Sequence, residues 1–231
     1  MSIIDRAQKN PRIVGTITSL AALKKEAVAT RHAYDVAELR LDLIGVSARW
    51  QPLAKKLISR KVPVLLTIRS AVEGGQFEGP EKERIKLYLD SLPHVSAVDV
   101  EIRSKAFAPV SKAAHAAKVD VVGSYHDFEK TPDLHPLLNV MSLGHRGKAA
   151  VVKIAAKVSG PGDVAKLFMV QAMRVLTPLC LIGMGEEALY TRVAFPCAGS
   201  CLAYGYVDKP AAPGQLPCAD LGRLLKSLGK R

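Results

Sequence analysis

The chain has 231 residues, of which 48% are hydrophobic and 23% charged, with a formal net charge of +12 at pH 7. This near-average composition excludes a disordered or fibrous protein, and no apolar run reaches the roughly 18 residues that a membrane-spanning helix needs. Residues 1–12 are polar and carry neither the apolar core nor the cleavage site of a signal peptide. We therefore expect a cytoplasmic protein with no membrane association, long enough for one large domain or two small ones.

The positive net charge raises the question of nucleic acid. Because the charges are scattered along the chain and only 5% of residues are aromatic, few stacking groups accompany them, and we expect no nucleic-acid partner. A basic nucleic-acid-binding protein is the non-enzymatic alternative, and its binding would weaken steeply with salt. The spread of basic residues is more typical of a solvated surface, which would speed the encounter with an anionic small-molecule substrate.

Eight short apolar runs, mostly separated by stretches of helical character, indicate a parallel sheet with crossover helices. The predicted strands are 13–17, 36–42, 64–69, 97–102, 119–125, 151–155, 179–184 and 201–207. The predicted helices are 20–30, 50–60, 80–92, 106–117, 132–143, 162–176 and 219–228. This alternation predicts one α/β domain, a (β/α)8 TIM barrel covering residues 1–231. An open doubly wound sheet is the alternative, but no Gly-x-Gly-x-x-Gly motif follows the first strand.

The cysteines lie in the last quarter of the chain, at Cys180, Cys197, Cys201 and Cys218. Their spacing matches no paired Cys-x-x-Cys zinc motif. In a cytoplasmic protein we therefore expect free thiols.

Two residues in the predicted strands suggest chemistry. The apolar run 121–123 leads to His126 and a loop closed by Pro132, the pattern of a buried strand that presents a functional side chain at a sheet edge. The alternative is that His126 caps a turn. The run 151–155 holds a single lysine, Lys153. Burying an unpaired ammonium is unfavourable, so this lysine is either paired or kept for its neutral amine, which is a nucleophile.

Polar or charged side chains lie in or just after most of the predicted strands. In a (β/α)8 barrel the active site lies at the C-terminal ends of the strands, which makes these residues candidates as a group. Glu38 and Arg40 are two residues apart and share a face of their strand, so an alternative is that they simply pair with each other. The candidates are Glu38, Arg40, Arg69, Glu73, His126, Lys153, Arg192 and Gln215.

Several motifs together resemble one family, type I 3-dehydroquinate dehydratase. They occur in the family's order at residues 38–42, 67–69, 73–75, 124–128, 131–132, 152–155, 184–185, 192, 199–200 and 212–215. The resemblance implies a (β/α)8 barrel, usually a homodimer, with no metal and no dissociable cofactor. It also implies the reaction, a Schiff-base-mediated dehydration of 3-dehydroquinate to 3-dehydroshikimate in the shikimate pathway of aromatic amino acid biosynthesis.

The same resemblance implies a role for each site residue. Lys153 would form the Schiff base with the substrate ketone, His126 would act first as base and then as acid, and Glu73 would orient and charge His126. The other matches are substrate contacts. Glu38, Arg40 and Arg69 would contact ring hydroxyls, Arg192 and Gln215 would clamp the substrate carboxylate, and Met184 would form an apolar wall.

Two residues and the segment 195–197 depart from the family's pattern, and one other enzyme class fits the lysine. Ala211 stands where serine is common, and Tyr204 where phenylalanine is common. Without the resemblance, a lysine in the sixth strand would also fit a class I aldolase acting on a sugar phosphate. Such an enzyme needs a phosphate site after strands seven and eight, where Glu186 and Glu187 would repel phosphate.

Overall fold

The computed structural model describes residues 2–4, 10–173 and 176–231. In this part of the chain parallel strands alternate with helices. The strands are β1 (Arg12–Ile17), β2 (Val36–Arg40), β3 (Val64–Thr67), β4 (Ala97–Glu101), β5 (Asp120–Asp127), β6 (Val151–Lys157), β7 (Leu179–Met184), β8 (Leu202–Tyr206) and the two-residue β9 (Leu216–Pro217). The helices are α1 (Leu20–Glu26), α2 (Leu41–Ile44), α3 (Gln51–Ser59), α4 (Glu81–Ser91), α5 (Phe107–Ala116), α6 (Leu134–Arg146), α7 (Pro161–Ala172), α8 (Thr191–Cys197) and α9 (Cys218–Ser227).

The strands form one curled parallel sheet in the order β7-β6-β5-β4-β3-β2-β1-β8-β9. At the seam between β7 and β8, the Cys201 N–H donates to the Leu179 carbonyl at 2.8 Å, and the Leu181 N–H donates to the Ser200 hydroxyl at 2.9 Å. The predicted (β/α)8 barrel is confirmed. Within the described residues, no helix is long and apolar enough to cross a membrane, and the four cysteines are free, as predicted.

Several predicted boundaries differ from the structure. β2 ends at Arg40 rather than at residue 42, because Leu41–Ile44 turns into helix α2. No helix was predicted at α8, because its Pro196 lacks an N–H for the helical hydrogen-bond pattern and is typical of a helix end. The predicted helix 162–176 corresponds to α7, and its residues 174–175 lie outside the described residues.

The barrel interior changes from apolar to polar along the strands. Successive side chains of a strand point to opposite faces, so residues two apart share the inner face. One apolar cluster is made of strand residues such as Val14, Val36, Leu65, Val122 and Val151, without any helical residue. Two positions further along each of these strands, and along β4, the buried residue is polar: Thr16, Glu38, Thr67, Asp99, Ser124 and Lys153. This polar layer forms the floor of the site.

Candidate active site

One cavity at the C-terminal ends of the strands contains the nine predicted site residues. Its empty volume is about 560 Å³, open solvent included. The predicted residues that line it are Glu38, Arg40, Arg69, Glu73, His126, Lys153, Met184, Arg192 and Gln215. Residues that were not predicted also contribute to the wall, among them Thr16, Ala155, Ile182, Tyr204 and Ala212.

Lys153 is buried in the polar floor and is paired. Its Nζ donates to Asp99 Oδ2 at 2.6 Å, and Asp99 also accepts hydrogen bonds from Arg69 Nη2 and the Ser124 hydroxyl, each at 2.6 Å. Burial alone would raise the pKa of Asp99, but Arg69 and Lys153 outweigh it and hold that pKa well below its usual value. Asp99 is therefore an anion that positions the lysine amine at the cavity wall.

Arg69 belongs to a network that extends beneath the site. Its guanidinium contacts Asp99, Ser124 and, at 3.3 Å, Glu101 Oε1. Glu101 lies between Arg69 and Arg84, which is fully buried, and Arg84 also donates to both oxygens of Glu81 at 2.8 and 2.9 Å. Both Nη atoms of Arg69 are thus engaged by protein groups beneath the site. Its position at the cavity is as predicted, and its contacts show a second task, holding the floor together.

His126 is held by Glu73. The backbone N–H and the Nδ1–H of His126 both donate to Glu73 Oε2, at 3.0 and 2.9 Å. Glu73 ends a 3-10 turn, and Gly74 follows with φ of 76°, where a Cβ would lie 2.4 Å from the Phe128 ring. The Phe128 ring in turn stacks on His126, with the ring centroids 6.4 Å apart. Glycine at position 74 is therefore needed to bring the carboxylate, the imidazole and the phenyl ring together.

The ionisation of this pair differs from the expectation that Glu73 charges His126. Burial lowers the pKa of His126 well below its usual value, and the nearby Arg69 and Lys153 lower it further. Burial also raises the pKa of Glu73 to about 7, against the lowering effect of Arg69. The imidazole is therefore neutral at physiological pH, with Nδ1–H facing Glu73 and Nε2 left to accept a proton. Glu73 holds the ring in place through its contact with Nδ1.

Glu38 and Arg40 do not pair with each other. Glu38 accepts hydrogen bonds from the hydroxyls of Thr16 and Thr67, each at 2.8 Å. Arg40 makes a two-pronged contact with Asp42, at 2.9 and 2.7 Å. Because each has its own partner, both side chains are held in fixed positions at the cavity wall.

Arg192 and Gln215 connect the cavity to the loop between β8 and β9. Arg192 lies on α8, and its Nη2 donates to the Pro213 carbonyl at 2.9 Å. Gln215 accepts from the Ala211 N–H at 2.8 Å and donates to Thr16 Oγ1 at 3.1 Å. The loop is thus held against the cavity, which it lines with Ala211 and Ala212. Burial lowers the pKa of Arg192 to about 10.

Three groups in or beneath the site were not predicted from the sequence: Asp99, Glu101 and Tyr204. The missed signal for two of them is that Asp99 and Glu101 are two residues apart near the end of β4, the same spacing that identified Glu38 and Arg40. Tyr204 was noted only as a departure from a family pattern. Its ring lies 4.6 Å from Lys153 Nζ, measured to the ring centroid.

The fold and the site define a class of protein: a (β/α)8 barrel whose cavity, at the C-terminal ends of the strands, is lined by a buried lysine and by a histidine held by a carboxyl group. The family profile for type I 3-dehydroquinase matches residues 13–231. The 3-dehydroquinate dehydratase of Methanocella arvoryzae is 33% identical over 223 residues, which cover 96% of this chain and 98% of that protein. The catabolic 3-dehydroquinate dehydratase of Acinetobacter baylyi is 30% identical, over 90% of this chain and 81% of its own.

Solved structures of 3-dehydroquinate dehydratases are also similar to this chain. The 3-dehydroquinate dehydratase of Geobacillus kaustophilus superposes with a TM-score of 0.86 at 27% identity, covering 99% of this chain and 98% of that one. The Clostridium difficile type I enzyme, solved with covalently modified comenic acid, gives 0.84 at 25% identity, over 96% and 94% of the two chains. The chain belongs to the type I 3-dehydroquinase family. This membership confirms the predicted activity, a Schiff-base-mediated hydro-lyase reaction on 3-dehydroquinate, and sets aside the aldolase alternative.

Proposed function

We propose that Lys153, His126 and Glu73 carry out the dehydration of 3-dehydroquinate in this cavity. The observation that supports these roles best is the position of Lys153, a buried amine at the wall of a cavity that His126 also lines. In the first step the amine nitrogen bonds to the ketone carbon as the C=O π bond breaks, and the oxygen takes up one proton from that nitrogen and a second from solvent. That oxygen then leaves as water, and a protonated imine remains.

His126 would carry the proton transfers of the elimination. The iminium draws electrons from the neighbouring carbon, so a mild base can remove a proton there, and Nε2 of the neutral imidazole is such a base. The electron pair forms the new carbon–carbon double bond as the hydroxyl on the next carbon departs. The hydroxyl takes the proton back from His126 and leaves as water. A second water then hydrolyses the imine, releasing 3-dehydroshikimate and the Lys153 amine.

The remaining cavity residues would bind and orient the substrate. Arg192, the cation on α8, would pair with the substrate carboxylate beside Gln215. Glu38 and Arg40 would contact ring hydroxyls, with Arg69 reaching them from the floor. Met184 would supply an apolar wall. The loop over the cavity would exclude bulk water while the imine exists.

Trapping with borohydride tests the role of Lys153 directly. The protein is incubated with 3-dehydroquinate and borohydride, its intact mass is measured, and the adduct is located by peptide mapping. We expect an adduct on the peptide containing Lys153 and none with Lys153→Ala. Lys157→Ala, an exposed lysine at the end of the same strand, is the control and keeps both adduct and turnover. An adduct of unchanged yield in Lys153→Ala contradicts the assignment.

We further propose that residues 1–231 are one catalytic domain that works as a cytoplasmic homodimer. Val72, Met169 and Leu176 are exposed apolar side chains available for association, and two-fold dimers are the commonest soluble oligomers. Sedimentation equilibrium at micromolar concentration tests the assembly. A single species of monomer mass would rule out the dimer.

A further inference from the structure

Tyr204 places an unpaired hydroxyl inside the site. The residue is 6% exposed and lies on the inner face of β8, and its Oη has no hydrogen-bond partner among the described residues. Two other buried side-chain atoms in the described chain share this condition, Ser111 Oγ and Arg192 Nε. Tyr204 and Arg192 both line the active-site cavity. A buried polar group without a partner is uncommon in folded proteins and calls for an explanation.

The surroundings of Tyr204 within the protein do not supply an acceptor. Glu38, the acid whose charge acts most strongly on Tyr204, is engaged by the hydroxyls of Thr16 and Thr67. Ala211 and Ala212 face the cavity without side-chain oxygens. Burial raises the pKa of Tyr204 well above its usual value, so the hydroxyl keeps its proton and is available as a donor.

The ring of Tyr204 lies beside the amine that forms the imine. The Tyr204 ring centroid is 4.6 Å from Lys153 Nζ, and the phenol oxygen lies one bond beyond that ring. An acceptor that enters with the substrate near Nζ therefore arrives within the neighbourhood of Tyr204 Oη. The first such acceptor is the oxygen on the carbon that Nζ attacks.

We infer that Tyr204 donates a hydrogen bond to the substrate oxygen at the carbon attacked by Lys153. This inference rests on the proposed role of Lys153. When the N–C bond forms, the C=O π electrons move to the oxygen, which becomes the hydroxyl of a carbinolamine after it takes up a proton. The Tyr204 hydrogen bond stabilises the charge that develops on this oxygen and holds it in place until it leaves as water. Tyr204 keeps its own proton throughout.

The Tyr204 hydroxyl therefore lowers the stability of the free protein and speeds the formation of the imine. In the free protein, an unpaired buried hydroxyl is less favourable than the hydrogen of a phenylalanine. In the reacting complex the same hydroxyl gains its partner. If Tyr204 served only to pack the barrel interior, phenylalanine at this position would give a protein that is at least as stable and equally active.

The test is Tyr204→Phe, with Tyr190→Phe as the control because Tyr190 is 55% exposed and does not line the cavity. Thermal unfolding without substrate, the rate of borohydride-trapped adduct formation in a single turnover, and kcat/KM are measured for each. We expect Tyr204→Phe to unfold at the same or a higher temperature, while adduct formation and kcat/KM fall about tenfold. The control keeps wild-type values.

Adduct formation and kcat/KM at the wild-type level in Tyr204→Phe would overturn the inference, whatever the unfolding temperature. A wild-type protein that forms no adduct on Lys153 would instead overturn the proposed function on which the inference depends. If Tyr204→Phe unfolds before it can be assayed, the hydrogen bond is tested by incorporating 3-fluorotyrosine instead. This residue has the same shape as tyrosine, and its hydroxyl is a stronger hydrogen-bond donor. A rate of adduct formation that does not change on fluorination would then contradict the hydrogen bond.

Discussion

Lys153 Nζ lies 2.6 Å from Asp99 Oδ2, and both side chains are buried inside the barrel, so the amine is fixed by an acid on a strand two positions away in the sheet. The same carboxylate holds Arg69 through its other oxygen. One anion thus positions two buried cations. Its loss would leave both cations with too little negative charge nearby to balance them.

Asp99→Asn is expected to lower the free energy of unfolding by about 3–5 kcal/mol, because breaking a buried ion pair leaves an uncompensated charge. Adduct formation on Lys153 should slow as the amine loses its position. Urea denaturation and borohydride trapping measure the two effects. Asp90→Asn, an exposed acid on α4, should change stability by less than about 0.5 kcal/mol. Equal stability of Asp99→Asn and wild type would mean that the network is dispensable.

The depressed pKa of Asp99 also predicts how stability depends on pH. Its stabilising contribution is fully present above the pKa of an unfolded aspartate, about 3.9, and is lost as pH falls below that value toward the lower folded pKa. Asp99→Asn should therefore lose less stability than wild type between pH 5 and about pH 2. Parallel stability–pH curves for the two proteins would contradict this.

The sequence predicted most of the fold and the site because both follow a period of two along the strands. Glu38 and Arg40 were recognised from that spacing, and Lys153 from its place in an apolar run. Asp99 was not recognised, although it and Glu101 have the same spacing in β4, because its partners Arg69 and Lys153 are 30 and 54 residues away in the chain. Ion pairs between residues so far apart in the sequence can be identified only in the folded barrel, where the strands lie side by side.

His126→Ala should separate imine formation from elimination. We expect the adduct on Lys153 to form while turnover falls by about 10²–10⁴, since a general acid–base contributes this much. Adduct yield and product absorbance in the same samples measure the two steps. His135→Ala, on α6 and outside the cavity, is the matched control. Near-wild-type turnover without His126 would remove it from its role.

Glu73→Gln should change how stability depends on pH. Burial raises the pKa of Glu73 from 4.5 to about 7, so in this range the folded state holds a proton that the unfolded chain has released. The contribution of Glu73 to folding therefore falls as pH rises from 4.5 to 7, by about 3 kcal/mol over the window. The lowered pKa of His126 has the opposite effect: its contribution to folding stability increases as pH rises toward 6.5.

Comparing wild type with Glu73→Gln isolates the effect of the Glu73 carboxyl group on stability. The free energy of unfolding of wild type minus that of Glu73→Gln should decrease between pH 4.5 and 7 and level off above. Chemical denaturation at four pH values across this range measures it. A difference that grows with pH would show that Glu73 is ionised in the folded protein throughout, as a carboxylate paired with a charged imidazole.

Arg192 is a buried cation without an acidic partner among the described residues, and its pKa is lowered to about 10 by burial. An anion entering the cavity supplies that partner. Arg192→Lys should therefore raise KM about 10- to 100-fold, because an ammonium does not reproduce two parallel charge-assisted hydrogen bonds. The free energy of unfolding should change by less than about 1 kcal/mol, since the lysine keeps the charge and the aliphatic stem.

A second substitution separates binding from folding at this position. Arg192→Met removes a buried charge and leaves a side chain of similar length, so the free protein should be as stable as wild type or more so, even without the bond to Pro213. Saturation by substrate should be lost. Arg223→Met, an exposed arginine on α9, controls for the loss of a positive charge and should leave KM unchanged. A KM for Arg192→Lys equal to that of wild type would place the substrate carboxylate elsewhere in the cavity.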